Sequence, residues 1–233
     1  MIRPAVLLFV MTLAVACSPG GETSASAKAS AGKRDSTVEP RNASPESRSP
    51  RIVILGDSLT AGLGLAREES FPSLLQDHLE KEGYPYEVVN AGVSGDTSAG
   101  GLRRLDWALE GDVKVLIVEL GANDGLRGLP VEGMKRNLAE IITRAQKRGI
   151  TVILTGMEAP PNYGPAYTAA FREAFRDLAR QHDVAFVPFL LEGVAGLRDL
   201  NISDGIHPNP AGARIVERTV WKALEPVLDQ RDR

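Results

Sequence analysis

From residue 51 onward, short apolar runs alternate with longer stretches whose apolar residues recur every three or four positions. The runs fall at 51–55 (RIVIL), 86–90, 113–120 (VKVLIVEL), 150–155 and 184–188. Each is followed by helical spacing. It passes through Phe71, Leu74, Leu75 and Leu79 in 71–82, and a further helix is predicted over 101–110. It continues through Met134, Leu138, Ile141, Ile142 and Ala145 in 131–148, then Phe171, Ala174, Phe175 and Leu178 in 166–181. The last helix, over 210–228, turns Ala211, Ile215, Val220 and Leu224 to one face. Gly149 stands where a helix C-cap belongs. Five aliphatic runs, each followed by a helix, predict a parallel sheet covered on both faces. With right-handed crossovers this is a three-layer α/β/α sandwich around a five-stranded sheet. In such sheets ligands bind beyond the carboxyl ends of the strands.

The first fifty residues follow a different pattern. Arg3 precedes an apolar run over 5–16 (AVLLFVMTLAVA). That run is shorter than the roughly 20 residues of a membrane-spanning helix and suits the core of a signal peptide. Two cleavage readings compete. Ala14-Val15-Ala16 has the A-x-A form of an ordinary signal-peptidase site. Leu13-Ala14-Val15-Ala16-Cys17 resembles the lipobox of bacterial lipoproteins, with its leucine four residues before the cysteine rather than the usual three. Lipidation of Cys17 is the expectation, because the chain's only cysteine sits at that junction. Residues 18–50 hold eight Ser, five Ala, four Pro and three Gly, and Val38 is their only large aliphatic residue. Such a segment cannot bury enough apolar surface to order itself. As a flexible coil it reaches about 30 Å, the span of a tether that holds a head off a membrane. The plainer reading is a disordered tail with no anchoring role. The expected organisation is a signal peptide over 1–16, a lipidated N-terminus and linker over 17–50, and one domain over 51–233. The protein is therefore expected to be exported to the cell envelope and held at a membrane, or otherwise secreted.

Composition removes several classes. With 43% hydrophobic and 24% charged residues in 233, the chain is not collagen-like, coiled-coil or wholly disordered. One cysteine excludes a disulfide framework and cysteine-based zinc or iron–sulfur sites. His78, His182 and His207 are the only histidines, so a histidine-built metal site is hard to assemble and no metal is expected. Residues 1–50 carry 6 Lys and Arg against 4 Asp and Glu, and the rest carry 21 against 26. The domain is thus acidic, which gives no footprint for nucleic acid.

Four polar clusters fall where the predicted strands end. The first is Gly56-Asp57-Ser58-Leu59-Thr60, where Ser58 either caps a helical turn or projects into a crevice as a nucleophile. The α/β-hydrolase pattern G-x-S-x-G fails at Thr60, and Gly62-Leu63-Gly64 lacks the third glycine of a dinucleotide-binding loop. The second is Asn90-Ala91-Gly92-Val93-Ser94-Gly95-Asp96-Thr97, an ordinary loop or one whose backbone amides are open to a ligand. Gly121-Ala122-Asn123-Asp124 follows the third strand, with Asn123 a turn residue or a site residue. Asp204-Gly205-Ile206-His207-Pro208-Asn209-Pro210 follows the fifth. Asp204 and His207 are three apart and can meet, the carboxylate fixing the imidazole tautomer and leaving the other nitrogen for a nucleophile. His78 and His182 lie in or at the end of helices and are given no catalytic role.

These four blocks, in this order, resemble the GDSL or SGNH hydrolases. That family is defined by Ser, Gly, Asn and His in successive blocks, here Ser58 in GDSLTAG, Gly95 in GVSGDTSAGG, Asn123 in GANDGLRG and His207 in DGIHPN. The strings SGDTSAGGLRRL and GANDGLRG are further similar to the bacterial branch of arylesterases, acyl-thioesterases and lysophospholipases, apart from Ala122 where that branch has a glycine. The resemblance implies a flavodoxin-like sandwich and hydrolysis of an ester or thioester through an acyl-serine intermediate. It implies Ser58 as nucleophile, His207 as general base and then acid, and Asp204 as its orienting partner. It implies an oxyanion hole from the backbone amides of Ser58 and Gly95 and the side-chain amide of Asn123. No metal or organic cofactor is implied, and the partner is a small-molecule or lipid ester. Met157, Pro160, Pro161 and Tyr163 are candidates for an apolar acyl wall, together with the 125–130 loop. Two other functions compete: carbohydrate O-deacetylation on the same fold, and a non-catalytic lipid-binding lipoprotein.

Overall fold

The structure, a computed structural model, describes residues 49–231. The predicted signal peptide, Cys17 and the linker up to residue 48 lie outside the described residues. The apolar runs become β1 (Arg51–Gly56), β2 (Glu87–Gly92), β3 (Val113–Glu119), β4 (Thr151–Thr155) and β5 (Ala185–Val187). All neighbouring strands pair in parallel, in the order β2-β1-β3-β4-β5. The central strands read as mainly aliphatic runs because both of their faces are covered: Ile52, Ile54, Leu116, Ile117 and Ile153 are wholly buried. On the edge strand β2, only Ala91 is buried.

Helices cover the sheet from two sides. Helix α2 (Phe71–Glu82) packs with α8 (Pro210–Arg231) on one face. Helices α3 (Ser98–Arg103), α6 (Val131–Lys147) and α7 (Pro165–His182) pack together on the other. The five apolar positions predicted for α6 are all buried. Gly149, at φ 72°, ends that helix, and the Ile150 amide returns to the Ala145 carbonyl at 3.1 Å. The chain is thus the three-layer α/β/α sandwich that its pattern predicts. No described helix is long and apolar enough to cross a membrane.

One predicted element is divided. The helix expected over 101–110 is α3 followed by α4 (Leu105–Ala108), separated at Arg104. The Arg104 guanidinium turns inward, donating to the Ala91 and Gly56 carbonyls at 2.6 and 2.7 Å. Connection order then places the site. From β1 the chain moves outward to β2, then passes back across β1 to β3 and continues the other way. The reversal leaves a crevice between the carboxyl ends of β1 and β3, where a doubly wound sheet binds its ligand.

Candidate active site

Strand β1 ends at Gly56, and Asp57 turns the chain into the short helix α1 (Ser58–Ala61). The capping residue here is Asp57, whose Oδ1 accepts from the Leu59 amide at 3.0 Å. Ser58 is therefore the first helical residue, and its Oγ lies 2.8 Å from His207 Nε2. The turn needs Gly92 beside it. A Cβ there would stand 2.3 Å from the Ala61 backbone nitrogen.

His207 reaches Ser58 from the far side of the molecule's sequence because its loop is fixed at both ends. Asn201 and Pro208 form an antiparallel bridge, and the Ile202 amide donates to the His207 carbonyl at 2.8 Å. Asn209 then caps α8, its Oδ1 accepting from the Ala211 and Gly212 amides. Within the loop, Asp204 Oδ1 accepts from the amides of Ile206 and His207 at 2.9 and 3.0 Å. Its Oδ2 lies 2.6 Å from His207 Nδ1. The His207 amide, the Ile206 amide and the imidazole together hold the Asp204 carboxyl down at about 2. An ionised carboxylate only accepts, so Nδ1 carries the imidazole hydrogen and Nε2 is left to accept from the Ser58 hydroxyl.

Asn123 lies in α5 (Ala122–Leu126), a one-turn helix that sequence reading leaves as a loop. Its amide Nδ2 donates one hydrogen to Asp57 Oδ2 at 3.0 Å, which leaves the second for a ligand. Gly95 is joined to this group indirectly. It occupies the loop after β2 at φ 83°, and its carbonyl accepts from Arg127, just past the end of α5, at 2.8 Å. Next to Asn123, the buried Asp124 accepts from the Ser98 amide and hydroxyl, each at 2.7 Å, and so ties α5 to the start of α3. Arg104 completes the frame, pairing with Asp96 at 2.7 Å while holding the ends of β1 and β2.

Ser58, Asn123 and His207 open onto one cleft of about 400 Å³. Met157, Pro160 and Pro161 line it as expected, joined by Leu126, Phe189 and Ile206. Tyr163 does not. Its hydroxyl donates to the Leu126 carbonyl at 3.0 Å and braces α5 from outside. Ala122, the departure from the family pattern, lines the cleft beside Asn123. Of the other histidines, His78 stacks on Trp221 at 3.9 Å and pairs with Glu217, while His182 closes α7.

Sequence reasoning misses Asp57, Arg104, Asp124 and Glu119. The last carried a signal: it is the one acidic residue in the mainly aliphatic run of β3, at its end. It is fully buried. Burial first, and then the neighbouring Asp57 charge, push its carboxyl well above the usual range.

A model of the GDSL-like lipase/acylhydrolase family matches residues 54–215. The chain belongs to that family. Its fold is that of an acyl hydrolase, an enzyme that cleaves ester bonds. The family match takes in the end of β1, all four polar clusters and the start of α8. Among related proteins, esterase TesA of Pseudomonas aeruginosa is 46% identical over 178 residues, 76% of this chain and 89% of that one. The thioesterase 1/protease 1/lysophospholipase L1 of Escherichia coli is 35% identical over 179 residues, 76% of this chain and 85% of that one. A solved structure of the psychrotrophic esterase EstA from Pseudoalteromonas, inhibited by monoethylphosphonate, superposes with a TM-score of 0.74 at 36% identity. It covers 78% of this chain and all of that one.

Proposed function

We propose that Ser58, His207 and Asp204 hydrolyse carboxylic esters of apolar acyl chains through an acyl-serine intermediate. The observation that carries this is the continuous relay from Ser58 Oγ to His207 Nε2 at 2.8 Å, and from Nδ1 to Asp204 at 2.6 Å, on the wall of an apolar cleft. Ser58 Oγ attacks the acyl carbon while its proton passes to His207 Nε2. The imidazolium is stabilised by Asp204 and returns that proton to the departing alkoxide. Water then repeats the sequence on the acyl-serine, releasing the acid and restoring Ser58. The oxyanion is met by the backbone amides of Ser58 and Gly95 and by the remaining Asn123 amide hydrogen. Each such donor contributes about 10²- to 10³-fold to turnover.

The substrate reading rests on the cleft, which has room for an acyl chain and is walled by Met157, Leu126, Phe189 and Ile206. This favours aryl, thio- or lysophospholipid esters with apolar acyl groups over an acetylated glycan. The protein is also read as exported and anchored through Cys17, on the sequence pattern of residues 1–17. Two measurements test these readings. A fluorophosphonate probe is expected to add one phosphonyl group, mapped by peptide mass to Ser58; labelling elsewhere overturns the assignment. Intact mass of the mature protein is expected to show a lipidated Cys17, and an unmodified N-terminus there overturns the anchor.

A further inference from the structure

Two carboxyl groups are buried beside the nucleophile, and the relay through Asp204 uses neither. Glu119 ends β3 with no exposure to solvent, and Asp57 follows β1 with 1%. The two side chains are close enough to interact electrostatically. Glu119 Oε2 accepts from the Asp57 amide at 3.1 Å and from the Thr60 hydroxyl at 2.7 Å. Glu119 Oε1 is buried and receives no hydrogen bond. On Asp57 each oxygen already has a donor, the Leu59 amide on Oδ1 and Asn123 Nδ2 on Oδ2.

Among the described residues no Lys or Arg forms an ion pair with either group. Arg104 spends its guanidinium on Asp96 and on the Ala91 and Gly56 carbonyls. His207 faces Asp57 across the site. Two unpaired carboxylates cannot both be charged in a dry pocket, so one holds a proton. The count of donors says which. A hydrogen on Asp57 would neutralise the group whose two oxygens both already accept, and would leave the charge on the wholly buried Glu119, whose Oε1 has no donor from the surrounding protein. A hydrogen on Glu119 turns that orphaned oxygen into a donor and leaves Asp57 as the anion that its two donors and His207 favour.

We propose that Glu119 is a positioning residue for the oxyanion hole: it stays protonated, donates to the Asp57 carboxylate, and through it fixes the Asn123 amide. The chain is Glu119 to Asp57 to Asn123. The last link is a charge-assisted hydrogen bond, which sets which way the amide turns and aims its second hydrogen. The same glutamic acid accepts from Asp57 N and Thr60, so it also seats the α1 turn that begins with Ser58. This inference rests on the reading of Asn123 as an oxyanion donor.

Two variants and one spectrum test it. Glu119→Gln keeps a neutral donor and acceptor in place, so it is expected to hold kcat within about threefold of the parent. Glu119→Met removes both, and kcat is expected to fall tenfold or more with KM nearly unchanged, up to the roughly 10²- to 10³-fold of losing an oxyanion donor. Infrared spectra in heavy water at neutral pH are expected to show one protonated carboxylic acid band, absent in Glu119→Gln. The band is read in Ser58→Ala protein as well, so it is independent of whether Ser58 is the nucleophile. Absence of the band overturns the proposal. So does a Gln variant as impaired as the Met variant, or a loss that lies in KM alone. If the Met variant does not fold, the band and the Gln variant decide.

Discussion

Asp204 is the site carboxylate that stays in partial contact with water, yet it is the one held lowest. The amides of His207 and Ile206 converge on Oδ1 and favour the anion, so its value of about 2 lies below that of a free aspartate. Because the folded value is depressed, Asp204 adds stability above about pH 4 and loses it as pH falls toward 2. Its side chain is 38% exposed, so that contribution is small. The consequence for activity is clearer. Asp204 remains ionised throughout the range above about pH 4, so its protonation does not limit turnover there. A carbon-13 titration of the Asp204 carboxyl is expected to show a midpoint near 2. Asp204→Asn, which removes the acceptor that fixes the His207 tautomer, is expected to lower kcat by up to about 10⁴-fold. At this scale Ser58, Asn123, Asp204 and His207 were legible because each interrupts the pattern at a strand end. The pairing of Asp57 with Glu119 was not. Their importance comes from being buried against each other, and sequence spacing carries no information about residues 62 positions apart.

At the scale of elements, the strands were readable wherever both faces are buried. The edge strand was less so. Strand β2 runs to Gly92, two residues past the apolar run, because Gly92 pairs with Gly56 and the Asn90 amide donates to the Thr60 carbonyl at 2.8 Å. Helix α5 was hidden by its composition, since Ala-Asn-Asp-Gly-Leu reads as a turn. It forms because Gly121 takes φ 115° and Asp124 is clamped by Ser98. These close approaches predict opposite outcomes for two glycines. Gly92→Ala drives a Cβ into the α1 backbone, where nothing can rotate away, and is expected to cost about 1–3 kcal/mol together with activity. Gly133→Ala in the first turn of α6 meets only the tip of Arg136 at 4.0 Å and is expected to gain about 0.5–1 kcal/mol. Urea denaturation of both variants checks the pair.

At the scale of the molecule, the sheet's reversal between β1 and β3 brings together residues from four separate strand ends. Asp57 and Ser58 come after β1, Gly95 after β2, Asn123 after β3, and Asp204 with His207 after β5. Order along the chain was sufficient to predict this gathering, because a parallel sheet puts all those ends on one edge. The cleft's shape was not predictable, since it depends on how the loops after β3, β4 and β5 lean together. Tyr163 is the example: it sits in the expected wall segment but braces α5 instead of lining the cleft. Ala195, exposed on the cleft's rim, gives a test of the acyl reading. Ala195→Trp narrows the opening and is expected to lower kcat/KM for the longest ester in a chain-length series by about tenfold relative to the acetyl ester. An unchanged profile would place the acyl chain elsewhere.

The central claim is that Ser58 is the nucleophile, and hydrolysis of p-nitrophenyl acyl esters by purified Ser58→Ala tests it most directly. The account predicts a fall in kcat of at least about 10⁴-fold with the fold and thermal midpoint retained. Turnover within tenfold of the parent would contradict it.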